Sequence, residues 1–95
     1  MKVRYTVRAR ADLNDIYGYL RERAPASAEA VKSLIERRIA RLADFPLMAP
    51  TTDEPGIYEL SIVRVPYKIY YEIQGNEVWI IHIRHTARQP WSGGH

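Results

Sequence analysis

No cysteine occurs among the 95 residues, so neither a disulfide staple nor a thiolate metal site is available to this chain. A reducing compartment fits that composition, and the cytoplasm is the expected location. The N-terminus, MKVRYTVRAR, lacks the apolar core of a secretion signal, and no apolar run approaches the length of a membrane span. There is no Gly-rich phosphate loop, no paired-histidine helix and no nucleophile elbow. His82 and His85 stand three apart in an apolar run, so on a strand they point to opposite faces and make a poor metal pair. No cofactor and no metal are expected.

What is present supports a single domain spanning residues 1–95. The apolar share of 46% and charged share of 26% are those of an ordinary folded protein. The formal charge of +3 is a mild surplus that an acidic protein partner or a nucleic acid would each explain.

The most strongly patterned stretch is YKIYYEIQGNEVWIIHIRHTAR, from Tyr67 to Arg88. Tyr67, Ile69, Tyr71 and Ile73 alternate with Lys68, Tyr70 and Glu72, as in a strand. Gly75-Asn76 then sits where a two-residue hairpin turn is needed. The apolar run from Val78 to Ile83 is rich in β-branched and aromatic residues and reads as the partner strand. Such a turn pairs Ile73 with Val78, Tyr71 with Ile80 and Ile69 with His82. The opposite face then carries Tyr70, Trp79, Ile81 and Ile83 beside Lys68 and Glu72. Neither face reads as fully solvated, so one is expected to lie under the chain's own helices and the other to be partly covered by a partner.

Upstream, Lys2 to Arg8 alternates as a half-buried strand, with Val3, Tyr5 and Val7 inward and Arg4, Thr6 and Arg8 outward. From Ala9 the period changes: Ala9, Leu13, Ile16 and Leu20 form a helical stripe, with Asp12 and Asp15 in its early turns and Arg21 and Arg23 at its end. Pro25 ends that helix, and Ser27 is the expected N-cap of a second, with Glu29 in its first turn. Val31, Leu34, Ile35, Ile39 and Leu42 mark the apolar side of the second helix, which Phe45-Pro46 stops. The proline-rich stretch from Leu47 to Gly56 reads as an ordered loop anchored by Phe45, Leu47 and Met48. Ile57 to Val65 is a further strand, closed by Pro66. The expected fold is α+β: an N-terminal strand, an antiparallel helical hairpin and a three-strand antiparallel meander, in two layers.

The candidate chemistry sits at one end of this sheet. Lys68, His85 and Arg88, with Arg64 from the preceding strand, form a basic cluster suited to holding an anion. RNA cleavage by a 2′-hydroxyl needs an acid and a base as well as cations. Glu59 is one candidate, although an acidic strand residue is more often a paired surface group. His85, at the strand end near Arg84 and Arg88, is placed where a phosphate-binding or proton-transfer group could sit. His82 reads as a partly buried sheet residue.

The ordered set of motifs resembles the RelE/ParE superfamily of bacterial type II toxin–antitoxin toxins over nearly the whole chain. It comprises the basic first strand, ARADLNDIYGYL, IERRIARLADFP, the YKIYYEI strand and VWIIHIRHTARQP. The resemblance implies a two-layer toxin fold and a cognate antitoxin of the ParD type that wraps the protein. It also implies one of two activities, gyrase inhibition in ParE-like members or ribosome-dependent mRNA cleavage in RelE-like members. Lys68 stands where RelE-like enzymes usually carry an arginine, and QPWSGGH offers no counterpart to their distal acid–base group. The ParE-like reading, a growth-arresting inhibitor of DNA gyrase, is therefore favoured. The RelE-like alternative would act on ribosome and mRNA through Lys68, His85 and Arg88. Arg37, Arg41, Tyr70, Trp79 and Ile81 are the expected antitoxin contacts, and Arg64, Arg84, Arg88 and Trp91 the expected target contacts.

Overall fold

The computed structural model describes residues 1–86. Strand β1 (Lys2–Tyr5) leads into helix α1 (Val7–Arg23), then α2 (Pro25–Ala40) with a 3-10 turn over Arg41–Ala43. Three strands follow: β2 (Tyr58–Ser61), β3 (Tyr67–Gln74) and β4 (Glu77–His85). They form one sheet in the order β1-β4-β3-β2, with the helices against one face. Among the described residues no helix is long and apolar enough to cross a membrane.

Strand, helical hairpin and meander thus stand in the expected order, but the sheet is mixed. β1 pairs parallel to β4, while β2–β3 and β3–β4 are antiparallel. Alternation reports which residues share a face and carries no information on strand direction. β1 is also shorter than its alternation implied. Thr6 turns out of the strand to cap α1, its hydroxyl accepting from the Ala9 N–H at 3.1 Å. Val7 becomes the first helical residue and is 88% exposed, so it is not an inward strand position.

The helical hairpin is tighter than expected. Ala24 alone joins the helices, and its N–H closes α1 on the Leu20 carbonyl at 2.7 Å. Pro25 opens α2, where a residue without an N–H leaves no bond unmade. Ser27 is therefore inside the helix, and its hydroxyl donates back to the Ala24 carbonyl at 3.3 Å instead of capping. Asp12 and Glu29 fall beyond the first turns, which contain no acid, so neither offsets a helix dipole there. Arg21 and Arg23 do occupy the last turn of α1.

Between α2 and β2 the loop is ordered by different residues from those expected. Phe45 and Leu47 are 55% and 69% exposed, and Met48 is exposed as well. The anchors are buried Ala49 and the Tyr71 hydroxyl, which donates to the Pro46 carbonyl at 2.7 Å. Hydrogen bonds from Glu59 to Pro50 and from Thr52 to Ile57 then lay the loop along the outer edge of β2. β2 itself ends at Ser61, well short of Val65.

The central hairpin turns at Gly75-Asn76, and only Gly75 takes positive φ, at 57°. Positive φ at the first central residue alone is the type II′ requirement. Ile73 pairs with Val78 and Tyr71 with Ile80, as the turn dictates. Beyond them the register shifts, so that Tyr70 pairs with His82 and Ile69 with Ile83, leaving Ile81 as an extra residue in β4. This β-bulge overturns the expected Ile69–His82 pair and moves Ile83 to the helix side. Ile69, Tyr71, Val78, Ile80 and Ile83 join Ile16, Ile35, Ile39 and Leu42 in the main core. Each fully buried isoleucine contributes roughly 1.5–3 kcal/mol.

Candidate functional site

The bulge divides β4 into a regular half and a polar half, and the candidate site is the polar half with its neighbours. Register sets Lys68 beside Arg84 and Tyr70 beside His82. Lys68 Nζ lies 3.2 Å from Glu59 Oε2 on β2, so the one cation inside β3 is paired. Arg84 Nε donates to the Tyr70 hydroxyl at 2.9 Å. The Tyr70 ring stacks on His82, with centroids 5.9 Å apart and planes 15° from parallel. His85 meets the edge of Tyr67 at 5.4 Å.

His82 is 2% exposed and reaches the other way, to α1. Its Nδ1 lies 2.7 Å from Asp12 Oδ2, which also accepts the Ile83 N–H at 3.0 Å. A carboxylate only accepts, so the imidazole proton belongs on Nδ1. Nε2 then accepts from Arg8 Nη2 at 3.4 Å. The reason for this arrangement is the length of β1. It ends at Tyr5, opposite Ile80, and leaves the following edge of β4 without a strand. Thr6 satisfies the carbonyls of Ile80 and Ile81, and Asp12 satisfies the next exposed N–H.

For chemistry, this cluster supplies charge that is already engaged. Burial raises the Tyr70 phenol, which opposes its service as a base near neutral pH, although the Arg84 hydrogen bond pulls the other way. Glu59 is held by Lys68, and His82 is buried between Asp12 and Tyr70. Proton transfer to a substrate needs a group within hydrogen-bond reach of that substrate. Neither His82 nor Glu59 is placed openly for that.

The remaining expected residues are dispersed. Arg64 does not join Lys68; it lines a hollow with Leu34 and Arg38 on the α2 side. Arg37 is exposed on α2, and Arg41 stacks over Phe45 at 5.6 Å. Trp79 is half-buried, its indole N–H donating to Glu77 at 3.2 Å. An Arg4 hydrogen bond holds that Glu77 carboxyl below the usual carboxylate range. Tyr70 and Ile81, expected as open antitoxin contacts, are already buried with Ile57 in a small cluster of their own. The bulge and the Ile57 end of the loop cover them. Arg88 and Trp91 lie outside the described residues. Asp12 and Arg8 carried no sequence signal for their contact with His82, which lies 70 positions from Asp12.

With that geometry established, the comparisons with known proteins agree on one class. Residues 3–90 match the family described as the ParE toxin of the type II toxin–antitoxin system parDE. Y4kP, a candidate toxin of Sinorhizobium fredii, is 30% identical over 90 residues, covering 95% of this chain and 92% of that protein. A solved chain of the chromosomal ParDE system of P. aeruginosa superposes with a TM-score of 0.80 at 24% identity, over 90% of this chain and 95% of the other. A chain of the RelBE2 toxin–antitoxin complex of Mycobacterium tuberculosis gives 0.62 at 25% identity, over 88% of each. The fold is therefore the one shared by ParE and RelE toxins.

Proposed function

This chain belongs to the ParE toxin family of type II toxin–antitoxin systems, and on that premise we propose that it arrests growth by inhibiting DNA gyrase and is neutralised by a cognate ParD-like antitoxin. The observation that carries the choice of target is the engaged state of the polar cluster. Lys68 is bound by Glu59 and Arg84 by Tyr70, and buried His82 is committed to Asp12. Cations held this way can contribute to a docking surface; of the described acid–base candidates, Glu59 and His82 are engaged and half-exposed His85 lies against the Tyr67 ring.

Docking to the antitoxin draws on two kinds of group. Exposed Arg37 on α2 and Arg41 in the 3-10 turn after it supply a charged rim that accelerates encounter with an acidic segment. Half-buried Trp79 supplies an aromatic anchor, which sets how long the complex lasts. Arg64 and Arg84, with Arg88 and Trp91, remain the proposed target contacts.

The test is a supercoiling reaction with purified gyrase and purified toxin, with and without the antitoxin encoded beside it. Supercoiling should fail with toxin alone and recover when antitoxin is added. Undiminished supercoiling at saturating toxin would reject the reading.

A further inference from the structure

Leu34 and Arg38 of α2, with Ile62, Val63 and Arg64 from the turn after β2, line a hollow of about 240 Å³. That lining includes two arginines and no acidic residue. The Arg38 Nε is buried and meets no hydrogen-bond acceptor. A buried donor without a partner is costly, and a small rotation of the Arg38 side chain would present it to an acceptor seated in the hollow. Arg64 gives a second sign. Its φ is +77°, and the Val65 N–H bonds back to the Val63 carbonyl at 2.7 Å across it. That is a γ-turn of the rare, strained hand, with an arginine where glycine would sit without strain. The turn holds Arg64 at the hollow beside Arg38.

We propose that this hollow is a docking pocket for an acidic side chain of the antitoxin, flanked by an apolar residue. The proposal rests on the functional reading above and assigns the chemistry of one contact within it. A carboxylate accepts charge-assisted hydrogen bonds from guanidinium groups such as those of Arg38 and Arg64. Leu34, Ile62 and Val63 accept the methylenes and the apolar neighbour; Val63 is 72% exposed and offers them an open wall. A duplex phosphate would instead set polar sugar and backbone against those three apolar residues, so the peptide fits better. A carboxylate seated here also covers Arg64, one of the proposed target contacts. Neutralisation would then work partly by occupying a surface the target needs.

The experiment uses the full chain, isotope-labelled so that the Arg38 Nε–H resonance is observed directly. The probes are a synthetic peptide alternating glutamate with leucine, its glutamine counterpart, and a short DNA duplex. The glutamate peptide should shift the Arg38 resonance and the glutamine peptide should not. Arg64→Gly should raise the melting temperature, because glycine relieves the turn, yet weaken the glutamate peptide by roughly fivefold or more. The same variant should loosen the complex with the antitoxin encoded beside the toxin. Equal shifts from both peptides, unchanged affinity in Arg64→Gly, or displacement of the peptide by the duplex would each overturn the proposal. Failure of that antitoxin to bind the unaltered chain would sink the functional reading instead, with the peptide series still deciding the hollow.

Discussion

Up to Ile80, strand β4 has a neighbour on each side, β1 parallel and β3 antiparallel. Its side chains there alternate between the main core and the outer face. Beyond Ile80, β1 has stopped, Ile81 has slipped out of the pairing, and helix α1 replaces the missing strand with one carboxylate. The first half is held by repetition of backbone pairing and aliphatic burial. The second is held by a few specific polar contacts: Asp12 on His82 and Ile83, Arg84 on Tyr70, and Glu59 on Lys68. A short edge strand thus creates a local deficit of hydrogen-bond partners, which Thr6 and Asp12 meet. Charge at the polar end answers first to the fold.

If aliphatic burial is the foundation on both sides of the bulge, truncating it should do the greatest damage. Ile80→Ala and Ile69→Ala are each expected to cost roughly 2–5 kcal/mol, because both side chains are fully buried in the main core. Reversible urea denaturation measures this, and a loss below about half a kcal/mol at both would break the distinction.

Next in size is the substitute strand. Asp12→Ala strands the Ile83 N–H and His82 Nδ1 together, for an expected loss of about 1–3 kcal/mol. Amide exchange should report the damage selectively, faster at Ile83 and little changed at Ile80. Uniform acceleration across β4 would mean that Asp12 supports the sheet as a whole.

Adjacent tyrosines sharpen the contrast further. Tyr71→Phe removes the hydroxyl that holds the Pro46 carbonyl and should cost about 1 kcal/mol; Tyr70→Phe leaves half-exposed Arg84 to water and should cost less. Burial is the leading cause that raises both phenols above the ordinary value of about 10. Protons are then retained in the folded state and lost first from the unfolded one. Their contribution is intact below pH 10 or so and declines as pH rises past it. Denaturation midpoints across an alkaline series should show that decline, and Tyr71→Phe should flatten it.

The smallest effect belongs to Glu59→Gln. The pair with Lys68 is partly exposed, so its loss should cost under about 1 kcal/mol and shrink as salt is added. A larger, salt-independent loss would place this pair among the buried supports of the sheet.

Much of this was legible in the sequence, for reasons that track the same division. Alternation in YKIYYEI, the Gly75-Asn76 turn and the stripes of α1 and α2 each encode their structure within a few residues, so element order and most of the core follow from them. Parallel pairing of β1 does not, because a pattern of period two is the same in either direction. The bulge was hidden for a related reason: an unbroken apolar run such as WIIHI gives no mark of the point where the face changes. Asp12 and Arg8 were invisible as partners of His82, since nothing local links the first helix to the last strand. The loop anchors were misjudged because hydrophobicity pointed to Phe45, Leu47 and Met48, whereas small Ala49 and a tyrosine hydroxyl hold the chain.

The proposed mode of action, gyrase inhibition without RNA cleavage, rests on a polar strand end that the fold already engages. One preparation should be titrated into two reactions, gyrase supercoiling and translation of a defined mRNA on purified ribosomes. The account predicts loss of supercoiling with the ribosome-bound message intact. Codon-positioned cleavage of the message that disappears in a folded Lys68→Ala variant would contradict it.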